Sequence, residues 1–137
     1  TMLTSSVNIG IHIRRGDYIK NHRHDVVDED FHIRNIHIIN EHIKEDIVFY
    51  VFSDDINYCK EKFQYLNYKF NYVESLNSSL LEFELMKKMD HLIISNSSFS
   101  WWAAYLSDKK NKITICPKKW INDQETIDLM MDNWSTN

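Results

Sequence analysis

Short apolar runs alternate with longer amphipathic segments along this 137-residue chain, and that alternation limits its fold more than any other feature. Ile47–Phe52 reads IVFYVF, His91–Ser95 reads HLIIS and Lys112–Cys116 reads KITIC. Runs so dense in β-branched and aromatic side chains suit strands buried on both faces. Val7–Ile13 alternates apolar with polar residues and predicts another strand, and Tyr68–Val73 a weaker one. Between and after them Asp28–Lys44, Ile56–Leu66, Ser78–Asp90, Ser98–Leu106 and Gln124–Met131 predict helices. Within the third, Leu81, Leu85, Met86 and Met89 fall on one side. Strand and helix in turn, about five times over, predict an α/β fold: a mostly parallel sheet with helices on both faces.

With two glycines and one proline the chain has no linker, so residues 1–137 read as a single domain. A formal net charge of -4 argues against a nucleic-acid partner, which calls for a basic surface. No apolar run reaches membrane-span length and no signal peptide is legible, so the expected location is cytoplasmic, free or peripheral to a membrane. A first residue of Thr rather than Met predicts a fragment of a longer protein. Cys59 and Cys116 stand far apart with no CxxC spacing and read as reduced structural thiols. His22 and His24 have an HxH spacing without a further ligand nearby, and His32, His37 and His42 rotate around a helix. Neither set builds a metal site.

Ligands of parallel sheets bind beyond the carboxyl ends of the strands. Three polar clusters stand there. Arg14 and Arg15, before Gly16 and Asp17, present planar donor forks that match phosphate or carboxylate oxygens. The alternative is a surface turn in which the arginines pair with Asp17 and solvent. Asp54 and Asp55 follow Ser53; acids after a buried strand can bind a metal, accept a phosphoryl group or accept from a base or ribose. The alternative is helix capping. Ser95, Ser97, Ser98 and Ser100 surround a predicted helix start, a place suited to anions, although one serine there can be a plain cap. Trp101 and Trp102 read as core anchors.

In order, His12-Ile13-Arg14-Arg15-Gly16-Asp17-Tyr18, VFSDDINYCK (Val51–Lys60), LMKKMDHLIISNSSFSWWAAYL (Leu85–Leu106) and ICPKKW (Ile115–Trp120) resemble the motifs of the alpha-1,2-fucosyltransferases, glycosyltransferase family 11. The resemblance implies a Rossmann-like, GDP-sugar-binding domain, the donor half of a GT-B type enzyme. It implies transfer of fucose from GDP-fucose to a hydroxyl of a galactose-containing glycan, in alpha-1,2 linkage, with inversion and with neither cofactor nor metal. Arg14 would be the main diphosphate clamp and Arg15 the secondary one, with His12 nearby. Asp54 and Asp55 would face guanine or ribose, and Ser97, Ser98 and Ser100 phosphate oxygens. Asp17 is the candidate base for the acceptor hydroxyl, or else a partner of an arginine. Family members are longer, and the half preceding the first motif contributes acceptor contacts. Where they often carry Asp-Leu before the third block, this chain has Glu82-Phe83. The rival readings are a receiver-like or other non-enzymatic nucleotide-binding module, with Lys118 or Lys119 as its lysine, and an inactive truncated fragment.

Overall fold

The computed structural model describes residues 6–14, 30–74, 78–95, 98–107, 112–116, 119–121, 124–125 and 134–136. Its elements run β1 (Val7–Ile13), α1 (Phe31–His42), β2 (Ile47–Ser53), α2 (Ile56–Phe63), β3 (Phe70–Tyr72), α3 (Ser79–Lys87), β4 (His91–Ile93), α4 (Ser98–Tyr105), β5 (Thr114–Cys116), β6 (Lys119–Ile121), β7 (Gln124–Glu125) and β8 (Trp134–Thr136). One sheet has the order β3-β2-β1-β4-β5-β8, and every neighbouring pair in it is parallel. This is the α/β, Rossmann-like arrangement that the alternation of segments predicts.

Strand alternation divides the core into two layers. Ile9, Ile11 and Ile13 of β1, with Phe49 and Val51 of β2, pack on Phe31, Ile36 and Ile39 of α1 and on Cys59 and Phe63 of α2. On the opposite face Tyr50, Phe52 and Leu92 pack on Met86 of α3, on Met89 just after it, and on Ala103 and Ala104 of α4. Each large side chain so buried contributes roughly 1.5–3 kcal/mol. Gly10 lies on this second face, where a Cβ would stand 2.8 Å from Leu92 Cδ2 and 2.8 Å from Met89 Cγ. The missing side chain lets the end of α3 approach the sheet closely. Both cysteines are buried free thiols, and burial raises that of Cys59 to about 11.

Two expectations need correction. Gln124 and Glu125 do not begin a helix; they form β7, antiparallel to β6, with Lys119 opposite Glu125. The rest of that expected helix, 126–131, lies outside the described residues. Trp102 is 49% exposed, so it is not a core anchor, and Leu81, on the same side of α3 as the buried Met86, is 53% exposed. Trp101 packs against the second core layer and stacks on Tyr105 at 5.3 Å, while Trp102, one position on, turns to the outer surface. Strand β8, alongside β5, has no counterpart in the sequence reading. Among the described residues no helix is long and apolar enough to cross a membrane.

Candidate functional site

The strand order reverses at β1: β2 lies on one side of it and β4 on the other. Parallel sheets open a crevice beyond the strand ends at such a point. His12, on the α3–α4 side, reaches across this crevice. Its Nδ1 is 2.9 Å from Ser95 Oγ, just past the end of β4. Phe99, in the first turn of α4, lies against its ring at 5.7 Å between centroids. Ser100 is fully buried, and its hydroxyl donates to the Ser95 carbonyl at 3.4 Å. The start of α4 is thereby braced against the end of β4, with His12 between them.

His12 is neutral at physiological pH. Burial pushes its pKa down to about 4; Asp54 pulls it partly back and Arg14 lowers it further. It is therefore an oriented hydrogen-bonding group rather than a resident cation. Its main-chain carbonyl accepts from His32 Nε2 of α1 at 3.0 Å.

Arg14 lies just past β1, on the same side of the strand as His12 by alternation. Its Nε is 3.8 Å from Asp54 Oδ2, with the two side chains 40% and 29% exposed. A pair this long and this open to water contributes under about 1 kcal/mol. Asp55 does otherwise: its Oδ1 accepts from Tyr58 N at 3.2 Å and caps α2, while Ser53 Oγ accepts from Asp55 N at 3.0 Å. Capping thus accounts for Asp55, and Asp54 turns toward Arg14.

Of the residues singled out in the sequence, the structure brings together His12, Arg14, Asp54 and Ser100, with Asp55 beside them at the head of α2. Ser98 opens α4. Arg15, Asp17 and Ser97 lie outside the described residues. His32 is not singled out by the sequence as a site residue, and Ser95 reads there as part of an anion cluster rather than as the partner of His12. Ser95 ends the apolar HLIIS run. His32 shares the buried stripe of α1 with Asn35, Ile36 and Ile39, a periodicity visible in the sequence. A shallow groove of about 340 Å³ lies between α1 and α2, lined by Asp30, Ile33, Tyr58, Glu61 and Lys62. It is on the other side of the sheet from the His12 ring.

Chemically, the described part of the crevice offers a partly exposed guanidinium, an oriented imidazole and the N-terminal end of an apolar helix. The positive dipole end of that helix complements the guanidinium, so an anion with several oxygens fits the set.

The family model of glycosyl transferase family 11 matches residues 2–136. The alpha-1,2-colitosyltransferase of Escherichia coli is 35% identical over 138 residues, which cover 93% of this chain and 46% of the relative. The O-antigen biosynthesis glycosyltransferase WbnK, also of Escherichia coli, is 36% identical over 129 residues, covering 90% of this chain and 42% of the relative. The chain spans less than half the length of these curated relatives.

Proposed function

Because the chain belongs to glycosyl transferase family 11, we propose that it is the donor-binding part of a fucosyltransferase, taking GDP-fucose and delivering fucose to a galactoside hydroxyl in alpha-1,2 linkage. The observation that carries this reading is His12 lying against Phe99 at the start of α4, with Arg14 close enough to act on its charge, where the strand order reverses. When the bond from the anomeric carbon to the diphosphate breaks, negative charge grows on the departing phosphate oxygens. Arg14 and the N–H groups of α4 face that charge without a metal ion, and each charge-assisted hydrogen bond is worth roughly 1.5–3 kcal/mol. Arg14 exchanges Asp54 for phosphate, and the released Asp54 carboxylate turns to accept from the guanine or ribose. The acceptor hydroxyl attacks from the opposite side of the sugar, inverting the anomeric carbon, and its proton passes to a base, for which Asp17 is the candidate. A second reading comes from the relative named alpha-1,2-colitosyltransferase: the same linkage, with a colitosyl group transferred.

Calorimetry with GDP and ADP in the presence of a chelator tests the proposal. GDP binds without metal and more tightly than ADP, and Arg14→Ala weakens it by about ten- to a hundredfold, the equivalent of roughly 1.5–3 kcal/mol. Binding that needs magnesium, or equal affinity for ADP, overturns the reading; tight binding of magnesium with a phosphoryl mimic points to a receiver-like module instead. Transfer assays with GDP-fucose and GDP-colitose on a lactose-type acceptor separate the two sugars. The isolated chain transfers poorly, because holding the acceptor in line can be worth about 7–11 kcal/mol and that role falls to the other half of a longer enzyme.

A further inference from the structure

We infer that His91 is an acid-sensitive pin between β4 and β5, holding the two strands together while its ring is neutral and releasing β5 when the ring takes up a proton. His91 opens β4, and its Nδ1 accepts from the main-chain N–H of Ile113 at 2.9 Å, just before β5 begins. A ring nitrogen that accepts carries no hydrogen, so the neutral imidazole keeps its proton on Nε2. A protonated imidazole has an N–H at both positions and accepts nothing. Proton uptake at His91 and the bond to Ile113 therefore exclude each other.

The pin matters because the ladder it extends is short. Among the described residues β4 and β5 pair at Leu92–Thr114 and Ile93–Ile115, whereas β1 and β2 pair from Val7–Ile47 through to Ile13–Ser53. Ile113 is tied to β4 twice: its N–H goes to the His91 ring, and its carbonyl accepts from Leu92 N at 2.9 Å. Charged groups from three directions act on the imidazole: Asp90 beside it in the chain, Glu45 from the connection between α1 and β2, and Lys112 from the approach to β5. Burial lowers the pKa of the ring most, Asp90 and Glu45 pull it partly back, and Lys112 lowers it further. Lys112 is itself fastened, its Nζ donating to the Ala104 carbonyl of α4 at 2.8 Å. The bond to Ile113 is thus intact at neutral pH and is lost as the pH falls below the ordinary 6.5 and through the pKa of the folded ring. What loosens is the side of the sheet that β5 shares with β8, a local opening rather than a loss of the fold.

Amide hydrogen exchange followed by NMR at pH 7.5 and 5 tests the inference, with the nitrogen-15 shifts of the His91 ring read in the same samples. The Val73 amide, bonded to Val51 O at 3.0 Å on the far side of the sheet, reports any general loss of stability. His91→Asn puts an acceptor that does not titrate close to the position of Nδ1, and His91→Leu removes the acceptor. In the wild type Nδ1 is expected to carry no proton at pH 7.5, and the protection of the Ile113 amide relative to Val73 to fall about three- to tenfold by pH 5. In His91→Asn that ratio stays constant between the two pH values, and in His91→Leu it is low at both. A proton on Nδ1 at pH 7.5, a ring still neutral at pH 5, or a wild-type ratio that does not move as the ring titrates overturns the inference. So does a wild-type ratio in His91→Leu. Should His91→Leu not fold, the contrast between the wild type and His91→Asn decides. Should the wild type unfold before pH 5, the acid-unfolding midpoint decides: it moves to lower pH in His91→Asn, and an unmoved midpoint refutes the pin.

Discussion

Lowering the pH from 7.5 to 5 should cost the fold about 2 kcal/mol through His12 alone, by linkage between its folded and unfolded pKa values. In the unfolded chain His12 titrates near its ordinary 6.5; in the fold burial depresses it to about 4. Between those values the unfolded chain binds a proton that the folded chain refuses. The contribution is therefore complete above pH 6.5, falls away as the pH drops toward 4, and stays constant below. At 1.36 kcal/mol per pKa unit the whole effect is at most roughly 3 kcal/mol, of which about 2 kcal/mol is lost by pH 5. His91 is also depressed by burial and acts in the same direction, so the wild-type slope alone does not isolate His12. Urea unfolding at pH 5 and 7.5, run on the wild type and on His12→Gln, does. The wild type should lose about 2 kcal/mol more than the variant across that interval. Equal losses in the two proteins would refute the argument, because His12 would then not be a buried neutral group.

Asp55→Ala should destabilise the chain by about 1 kcal/mol through loss of the α2 cap, whereas Asp55→Asn, which can still cap, should change little. If Asn proves as costly as Ala in urea unfolding, the carboxylate has another task. Gly10→Ala should cost about 1–3 kcal/mol, since the new Cβ meets Leu92 and Met89 at 2.8 Å. An unchanged urea midpoint would mean those side chains give way freely.

Much of the fold was legible because buried strands announce themselves. Val7–Ile13 was placed with its exact ends, and IVFYVF missed only the closing Ser53. The failures have physical causes. Periodicity tells which residues share a helix face but not whether that face is covered, so Leu81 stays exposed beside the buried Met86, and Trp102 lies outside the core expected for it. Gln124 and Glu125 have no local bias against a helix, and their strand state comes from pairing with Lys119–Ile121. At the site, the residue types at the strand ends were readable, but their partners were not. Adjacent acids look alike in a sequence; only the entry of the chain into α2 decides that Asp55 caps while Asp54 meets Arg14. Histidine spacing bears on metal ligation and says nothing of His32, whose partner is a main-chain carbonyl 20 positions away.

The central place of β1 governs how this chain can be made. Ile9 pairs with Phe49 on one side and with His91 on the other, about 40 and 80 residues downstream. At a synthesis rate of about 5–20 residues per second, the first edge of β1 waits some seconds for a partner and the second about twice as long. Throughout that interval an apolar strand with open hydrogen-bonding edges is outside the ribosome, the condition under which nascent chains pair with one another. Each connection closes a long loop before any ladder forms, so refolding from denaturant should be slow for a domain of this size. The strand that carries His12 and leads into Arg14 is thus synthesised ahead of both its neighbours and must wait until β4 is made to be enclosed.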